Sequence, residues 1–100
     1  MANFTKETID AVWNKARIVT PSQADTWRKD QCDAWILRSG YGDRNSPYGW
    51  EIDHITPLSK GGDQQALSNL RPLHWKNNLS KFDGRLTCAV TSKGTINIDK

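Results

Sequence analysis

Polar side chains in the second half of the chain have the types that phosphodiester hydrolysis requires. Asp53 and His54 are adjacent at the end of a short apolar run, and Asn78 lies further along in a predicted helix. An imidazole can take a proton from water near neutral pH, and carboxylate and amide oxygens suit Mg²⁺ or Mn²⁺. The residues therefore indicate metal-assisted hydrolysis, with His54 as general base and with Asp53 and Asn78 as ligands.

Helical spacing favours Asn78 over Asn77 as the ligand. One face of the helix carries apolar side chains that should pack on the core: Trp75, Leu79 and Phe82. The adjoining face carries polar side chains at i+4 and i+3 spacing: His74, Asn78 and Lys81. Asn77 is expected to project further out, away from both sets.

The strand that holds Asp53 and His54 sets a condition on this site. Consecutive side chains of a strand point to opposite faces, so both residues reach one metal only if the strand ends or bulges there. Pro57 and the polar loop that follows are consistent with such an ending.

The stretch from Trp50 to Lys81 resembles the HNH nuclease motif, the ββα-metal finger. Its matching segments stand in the family's order and spacing: Asp53-His54, Gly61-Gly62, Ser68-Asn69-Leu70 and Asn78-Leu79-Ser80-Lys81. The resemblance implies an α+β fold and an endonuclease that cuts DNA with a divalent metal, Mg²⁺ or Mn²⁺. It also implies that Asn69 braces the loop and orients His54, and that Lys81 contacts a phosphate.

The chain departs from the family at its zinc site. Many HNH relatives hold a structural zinc with two C-x-x-C pairs, whereas here His74 and Asn77 stand where the second pair would be. The expectation is therefore a frame without structural zinc, held by packing around the tryptophans Trp35, Trp50 and Trp75. His74 remains open to three interpretations: an extra metal ligand, a substrate contact or a structural residue.

The two cysteines carry a separate prediction. Cys32 and Cys88 stand alone, with no C-x-x-C partner. This pattern argues against both a disulfide scaffold and a structural zinc, and favours two buried free thiols.

Length, composition and charge set the broad class. One hundred residues predict a single domain over residues 1–100, with the motif core at 48–82. No apolar run is long enough to cross a membrane, and the first six residues lack the apolar centre of a signal peptide, so a cytoplasmic protein is expected. The net charge of +3 fits phosphate binding. Four cations in or beside the motif are the predicted DNA phosphate contacts: Lys60, Arg71, Lys76 and Lys81.

The remaining pattern predicts the elements that must position the site. A helix is expected over 4–17, capped by Thr5, with a buried apolar stripe of Ile9, Val12, Trp13 and Ala16. A short helix is expected within 24–33. Strands over 34–38 and 48–54 are expected to pair as a supporting hairpin, followed by a strand over 69–73. A helix over 74–82 should end at Asp83-Gly84, and a C-terminal hairpin should form from 87–91 and 95–98.

Two functions from different classes remain open on the sequence. The first is the DNA endonuclease. The second is a catalytically silent HNH-fold binding module, for example a phage-encoded inhibitor or an interaction protein. The complete set of Asp53, His54, Asn69 and Asn78 favours the enzyme, since a pure scaffold does not need all four.

Overall fold

The fold is α+β, in a computed structural model that describes residues 3–81 and 85–100. Within these residues the α-helices are α1 (Lys6–Trp13) and α2 (Trp75–Ser80). Its strands are β1 (Trp27–Lys29), β2 (Trp35–Leu37), β3 (Trp50–His54), β4 (Leu70–His74), β5 (Val90–Lys93) and β6 (Ile96–Asp99). In the described ranges the strands form three antiparallel pairs, β1–β2, β3–β4 and β5–β6. No helix in these ranges is long and apolar enough to span a bilayer.

Helix α1 supplies one side of the core. Thr5 caps it as predicted, because its side-chain oxygen accepts a hydrogen bond from the Thr8 amide at 3.2 Å. The predicted apolar stripe is confirmed, since Val12, Trp13 and Ala16 are buried. The helix nevertheless ends at Trp13, because the chain then turns so that Arg17 can pair with Lys29 in an antiparallel bridge.

The predicted pairing in the first half of the chain is wrong. The segment expected to be a short helix contains β1, which pairs with β2 across a turn where Asp33 adopts a φ of 66°. Strand β3 pairs instead with β4, in a regular register from Trp50–His74 to His54–Leu70. Strand β3 pairs with β4 along five residues, a longer backbone ladder than the shorter β2 segment could form. The local sequence pattern could not indicate this choice of partner.

The buried core joins α1 to the two central strand pairs. Trp50 on β3 is fully buried and lies against Trp13, with ring centroids 5.4 Å apart. Ile36, Ile52 and Leu70 complete the contact between these elements. The predicted C-terminal hairpin is confirmed as β5–β6, with bounds shifted by one to three residues.

Helix α2 presents a different face from the one predicted. Leu79, expected in the core, is 63% exposed, whereas Asn77, expected to project outward, is 0% exposed. Asn77 turns inward because its amide is bound by Asp30 and by the backbone of Val90. The predicted end of the helix at Phe82 and Asp83-Gly84 lies outside the described residues.

The prediction of two free thiols is wrong. Cys32 and Cys88 form a disulfide, with Cα atoms 5.5 Å apart and 56 residues apart in sequence. The bond ties the turn between β1 and β2 to the segment that leads into β5. Spacing along the chain cannot reveal a pairing between cysteines so distant in sequence, because only the tertiary fold brings them together.

Candidate nuclease site

His54 occupies the last position of β3 and is half-buried. Its Nε2 lies 3.0 Å from the carbonyl oxygen of Gln64. A carbonyl only accepts hydrogen bonds, so Nε2 carries the proton and donates it. The lone pair of the neutral ring is therefore on Nδ1, which is the nitrogen that can take a proton from water.

Asn69 fixes the loop that holds His54. Its Oδ1 accepts from the Thr56 amide at 2.8 Å, and its Nδ2 donates to the carbonyls of Thr56 and Asp63 at 3.1 and 2.9 Å. Asp63 directly precedes Gln64, whose carbonyl binds the imidazole. Gly62 allows this close approach, since a Cβ there would lie 1.9 Å from the Thr56 oxygen. Asn69 thus bonds to both ends of the 56–63 segment, next to the Gln64 carbonyl that contacts His54.

An open cleft of about 610 Å³ lies against His54. Its walls come from β3, from α2, from the N-terminal segment and from the loop before β3: Phe4, Tyr41, Arg44, Glu51, His54 and Asn78. The imidazole and the predicted ligand Asn78 therefore border the same space, together with the carboxylate of Glu51.

Glu51 is a candidate residue that sequence reasoning missed. It accepts hydrogen bonds from Asn78 Nδ2 at 2.9 Å and from Arg44 at 2.7 and 3.0 Å. Burial works to raise its pKa, but the hydrogen bonds from Arg44 and Asn78 outweigh it and hold that pKa below its ordinary value. The available signal was its position two residues before Asp53, which puts both carboxylates on one side of β3.

Asp53 is buried between two cations. Its side chain is 2% exposed, its Oδ2 accepts from Arg71 Nε at 2.7 Å, and its Oδ1 is paired with the ammonium of Lys81. Lys81 also donates to the His54 carbonyl at 3.1 Å. Strand β3 continues without a bulge through this point, so Asp53 and His54 occupy successive positions of an intact ladder. Asp53 is not among the cleft-lining residues, and His54 is.

His74 and Asn77 lie in a second, buried cluster. Both nitrogens of the His74 ring are engaged, because Nε2 donates to the Pro47 carbonyl at 2.8 Å and Nδ1 accepts from the Lys76 amide at 3.1 Å. Burial lowers the pKa of His74, which keeps the ring neutral. Asp30 binds the backbone amide of His74 and the side chain of Asn77, at 2.9 and 3.0 Å.

The four predicted phosphate contacts lie in different surroundings. Arg71 and Lys81 neutralise Asp53, as described above. The ammonium of Lys76 lies 5.5 Å from the centre of the Trp75 ring and 3.9 Å from a carboxylate oxygen of Asp99. Lys60 is exposed at the end of a short 3₁₀ turn, Leu58–Lys60.

The groups at this site that could hold a metal ion are oxygen donors. Within residues 3–81 and 85–100, no group of three or more His, Cys, Asp or Glu side chains is arranged to hold a metal ion. Asn78 adds an amide group beside Glu51, to which its Nδ2 donates a hydrogen bond at 2.9 Å. The donors are carboxylate and amide oxygens, which suit a hard cation better than zinc.

Part of the chain is similar to a known protein family. Residues 39–83 match the model of the HNH family, described as HNH endonuclease. No curated protein and no solved structure is significantly similar to the chain. The matched segment begins before β3, extends past α2 and contains no cysteine. The resemblance to the HNH endonuclease family is therefore confirmed for residues 39–83, in a form without zinc-binding cysteine pairs.

Proposed function

We propose that this protein is a metal-dependent endonuclease that hydrolyses DNA phosphodiester bonds. One observation carries the proposal: His54 has a fixed tautomer and borders the same cleft as Asn78 and Glu51. A base, an amide oxygen and a carboxylate around one open space are the groups that phosphodiester hydrolysis uses. The match of residues 39–83 to a nuclease family supports the same chemistry.

In this mechanism the protein's own groups activate water and orient the base. His54 Nδ1 takes a proton from the attacking water. The Gln64 carbonyl stabilises the resulting imidazolium, because it already accepts the Nε2 proton at 3.0 Å. Asn69 maintains that carbonyl's position through its bonds to Thr56 and Asp63.

Asp53 and Asn78 are the proposed ligands of the divalent cation. When bound, Mg²⁺ or Mn²⁺ would neutralise charge on the phosphoryl and leaving oxygens. The donor set fits a hard cation, and Asp53 already neutralises a positive group, the ammonium of Lys81. A divalent cation at Asp53 would compete with Arg71 and Lys81, which already contact its two oxygens. Lys81, released from Asp53, would be available to a phosphate.

Plasmid cleavage tests the proposal directly. The wild-type protein should convert supercoiled DNA to nicked or linear forms with Mg²⁺ or Mn²⁺, and should not do so with excess chelator. His54→Ala should lower the rate by ~10²–10⁴, the usual effect of removing a general base. Its melting temperature should change little, because the ring is half-exposed. Cleavage at the wild-type rate by His54→Ala would exclude His54 as the base.

A pair of isosteric variants identifies the ligand carboxylate. Asp53→Asn and Glu51→Gln each remove one negative charge with almost no change in volume. Titration calorimetry with Mn²⁺ should show weakened binding in Asp53→Asn and near-normal binding in Glu51→Gln. The reverse result would assign the metal to Glu51 and overturn the role given to Asp53.

A catalytically silent binding module is the second candidate function. The observation in its favour is the double ion pair of Asp53, which gives that carboxylate a structural partner on each oxygen. A protein that binds Mn²⁺ no better than Asp53→Asn does, and never cuts plasmid DNA with any divalent metal, would support this reading. DNA cleavage that depends on His54 would eliminate it.

A further inference from the structure

A second groove, of about 600 Å³, lies beside the nuclease hairpin and outside the His54 cleft. Four cationic side chains from the segment after α1, from β1 and from β4 line it: Lys15, Arg17, Lys29 and Arg71. Two acids, Asp30 and Asp33, also reach it. We propose that this groove binds the phosphate backbone of duplex DNA. The inference rests on the proposed function, since it identifies where the DNA substrate lies.

The charges in the groove leave an excess of positive potential. Arg17 and Lys29 share one carboxylate, that of Asp33, with Lys29 Nζ at 3.4 Å from its Oδ1. Lys15 donates its ammonium to the carbonyls of Leu67 and Leu70 and has no carboxylate partner in the part of the chain described. A carbonyl does not neutralise an ammonium, so Lys15 keeps its full charge. Asp30 is already committed to four hydrogen-bond donors.

Arg71 connects this groove to the catalytic hairpin. It lines the groove, and its guanidinium also bonds to Asp53 at 2.7 Å and to Gln31 at 3.4 Å. A chain of phosphates passing Lys15 and Arg17 would therefore reach Arg71, next to the proposed metal ligand. A polyanion with regularly spaced charges fits a groove with cations from several elements better than a single small anion does.

Asp33 provides a substitution that should strengthen binding. Its backbone has a φ of 66°, a conformation that asparagine accepts as readily as aspartate. Asp33→Asn thus keeps the turn while it removes the carboxylate that Arg17 and Lys29 share. Loss of folding can weaken DNA binding but cannot tighten it, so this variant separates an electrostatic effect from a structural one.

The test is binding without cleavage. Fluorescence anisotropy of a labelled 20-base-pair duplex is measured in excess chelator at several salt concentrations. Arg17→Gln, whose side chain is 59% exposed in the wild type, should weaken binding several-fold and reduce the salt slope by about one per lost phosphate contact. Asp33→Asn should tighten binding several-fold. Lys93→Gln, which removes one exposed charge on β5, is the matched control and should bind like the wild type.

The outcomes distinguish the groove from the nuclease activity. If Arg17→Gln and Asp33→Asn both bind like Lys93→Gln while the wild type cuts plasmid DNA, the groove inference is overturned and the function stands. If the two variants shift binding in opposite directions but no metal supports cleavage, the groove stands and the nuclease proposal fails. Equal weakening by Arg17→Gln and Lys93→Gln would indicate a general effect of net charge and would also overturn the groove.

Discussion

Asn77 and Asn78 are neighbours on α2, and they serve two different regions of the molecule. Asn77 is completely buried and makes four hydrogen bonds, to Asp30 and to the backbone of Ala89 and Val90. Asn78 borders the open cleft and donates one bond, to Glu51. The same side chain thus satisfies a closed frame in one position and faces a candidate reaction site in the next.

Asn77 belongs to a buried frame of hydrogen bonds centred on Asp30. Asp30 accepts hydrogen bonds from the amides of Cys32, Ala34 and His74 as well as from Asn77. The disulfide closes the same region from the side of β5. A closed polar network with a covalent bond can thus hold the helix that presents Asn78.

Substituting each asparagine tests whether the two regions have separate roles, and these variants have the largest expected effects. Asn77→Ala removes one of the four hydrogen bonds to Asp30 and the side-chain partner of the Ala89 and Val90 amides, which should cost roughly 3–6 kcal/mol of unfolding free energy. Asn78→Ala should leave the unfolding free energy within about 1 kcal/mol of wild type, since surface changes rarely do more. Its cleavage rate should fall by ~10² or more, because a proposed metal ligand is lost. Urea melts and plasmid cleavage rates of both variants provide the measurements.

An exchange of these phenotypes would contradict the separate roles given to Asn77 and Asn78. A stable Asn77→Ala protein would mean that the network adapts without the amide. A fully active Asn78→Ala enzyme would mean that the cleft works without this oxygen, and Glu51 would then be the stronger ligand candidate.

The disulfide is the covalent part of the same buried frame. In the chain-entropy account, a crosslink over 56 residues stabilises the fold by about 4 kcal/mol. Cys32→Ser with Cys88→Ser should therefore lower the urea midpoint strongly, and dithiothreitol should have a similar effect on the wild type but none on the double variant. Since disulfides are rare in reducing cytoplasm, this result also bears on the predicted cytoplasmic location. An unchanged midpoint would show that the hydrogen-bonded frame suffices alone.

The sequence predicted the motif more accurately than it predicted the elements that hold the motif in place. The cap at Thr5, the stripe from Val12 to Ala16 and the C-terminal hairpin follow from local periodicity and turn chemistry, and the structure confirms them. These features depend on residues close in the chain, which is why a pattern can indicate them.

Long-range partners explain what the sequence did not reveal. Asn77 turns inward because Asp30 and Val90 meet it from distant segments, and a helical wheel contains neither. Glu51 was overlooked because its importance lies in contacts with Arg44 and Asn78 across the cleft. The site residues named from the motif keep their status as proposals, and the variants above test them.

The smallest expected effect concerns pH and the buried imidazole. His74 is neutral in the folded protein, and burial holds its pKa below the ordinary value of 6.5. The unfolded chain therefore binds more protons as the pH falls below about 6.5, so the unfolding free energy should decrease in that direction until the folded pKa is reached. Each unit by which the folded pKa is lowered corresponds to about 1.4 kcal/mol.

A variant that cannot titrate isolates this effect. His74→Asn keeps a side-chain oxygen that can accept from the Lys76 amide at the start of α2. It should be less stable than wild type near pH 8, because it loses the bond to the Pro47 carbonyl. Between pH 6.5 and 5, however, its unfolding free energy should fall less steeply than that of the wild type. Parallel curves for the two proteins, from urea melts at each pH, would show that another group controls the acid response. A buried His74 that stayed neutral would then contribute through packing and hydrogen bonds alone.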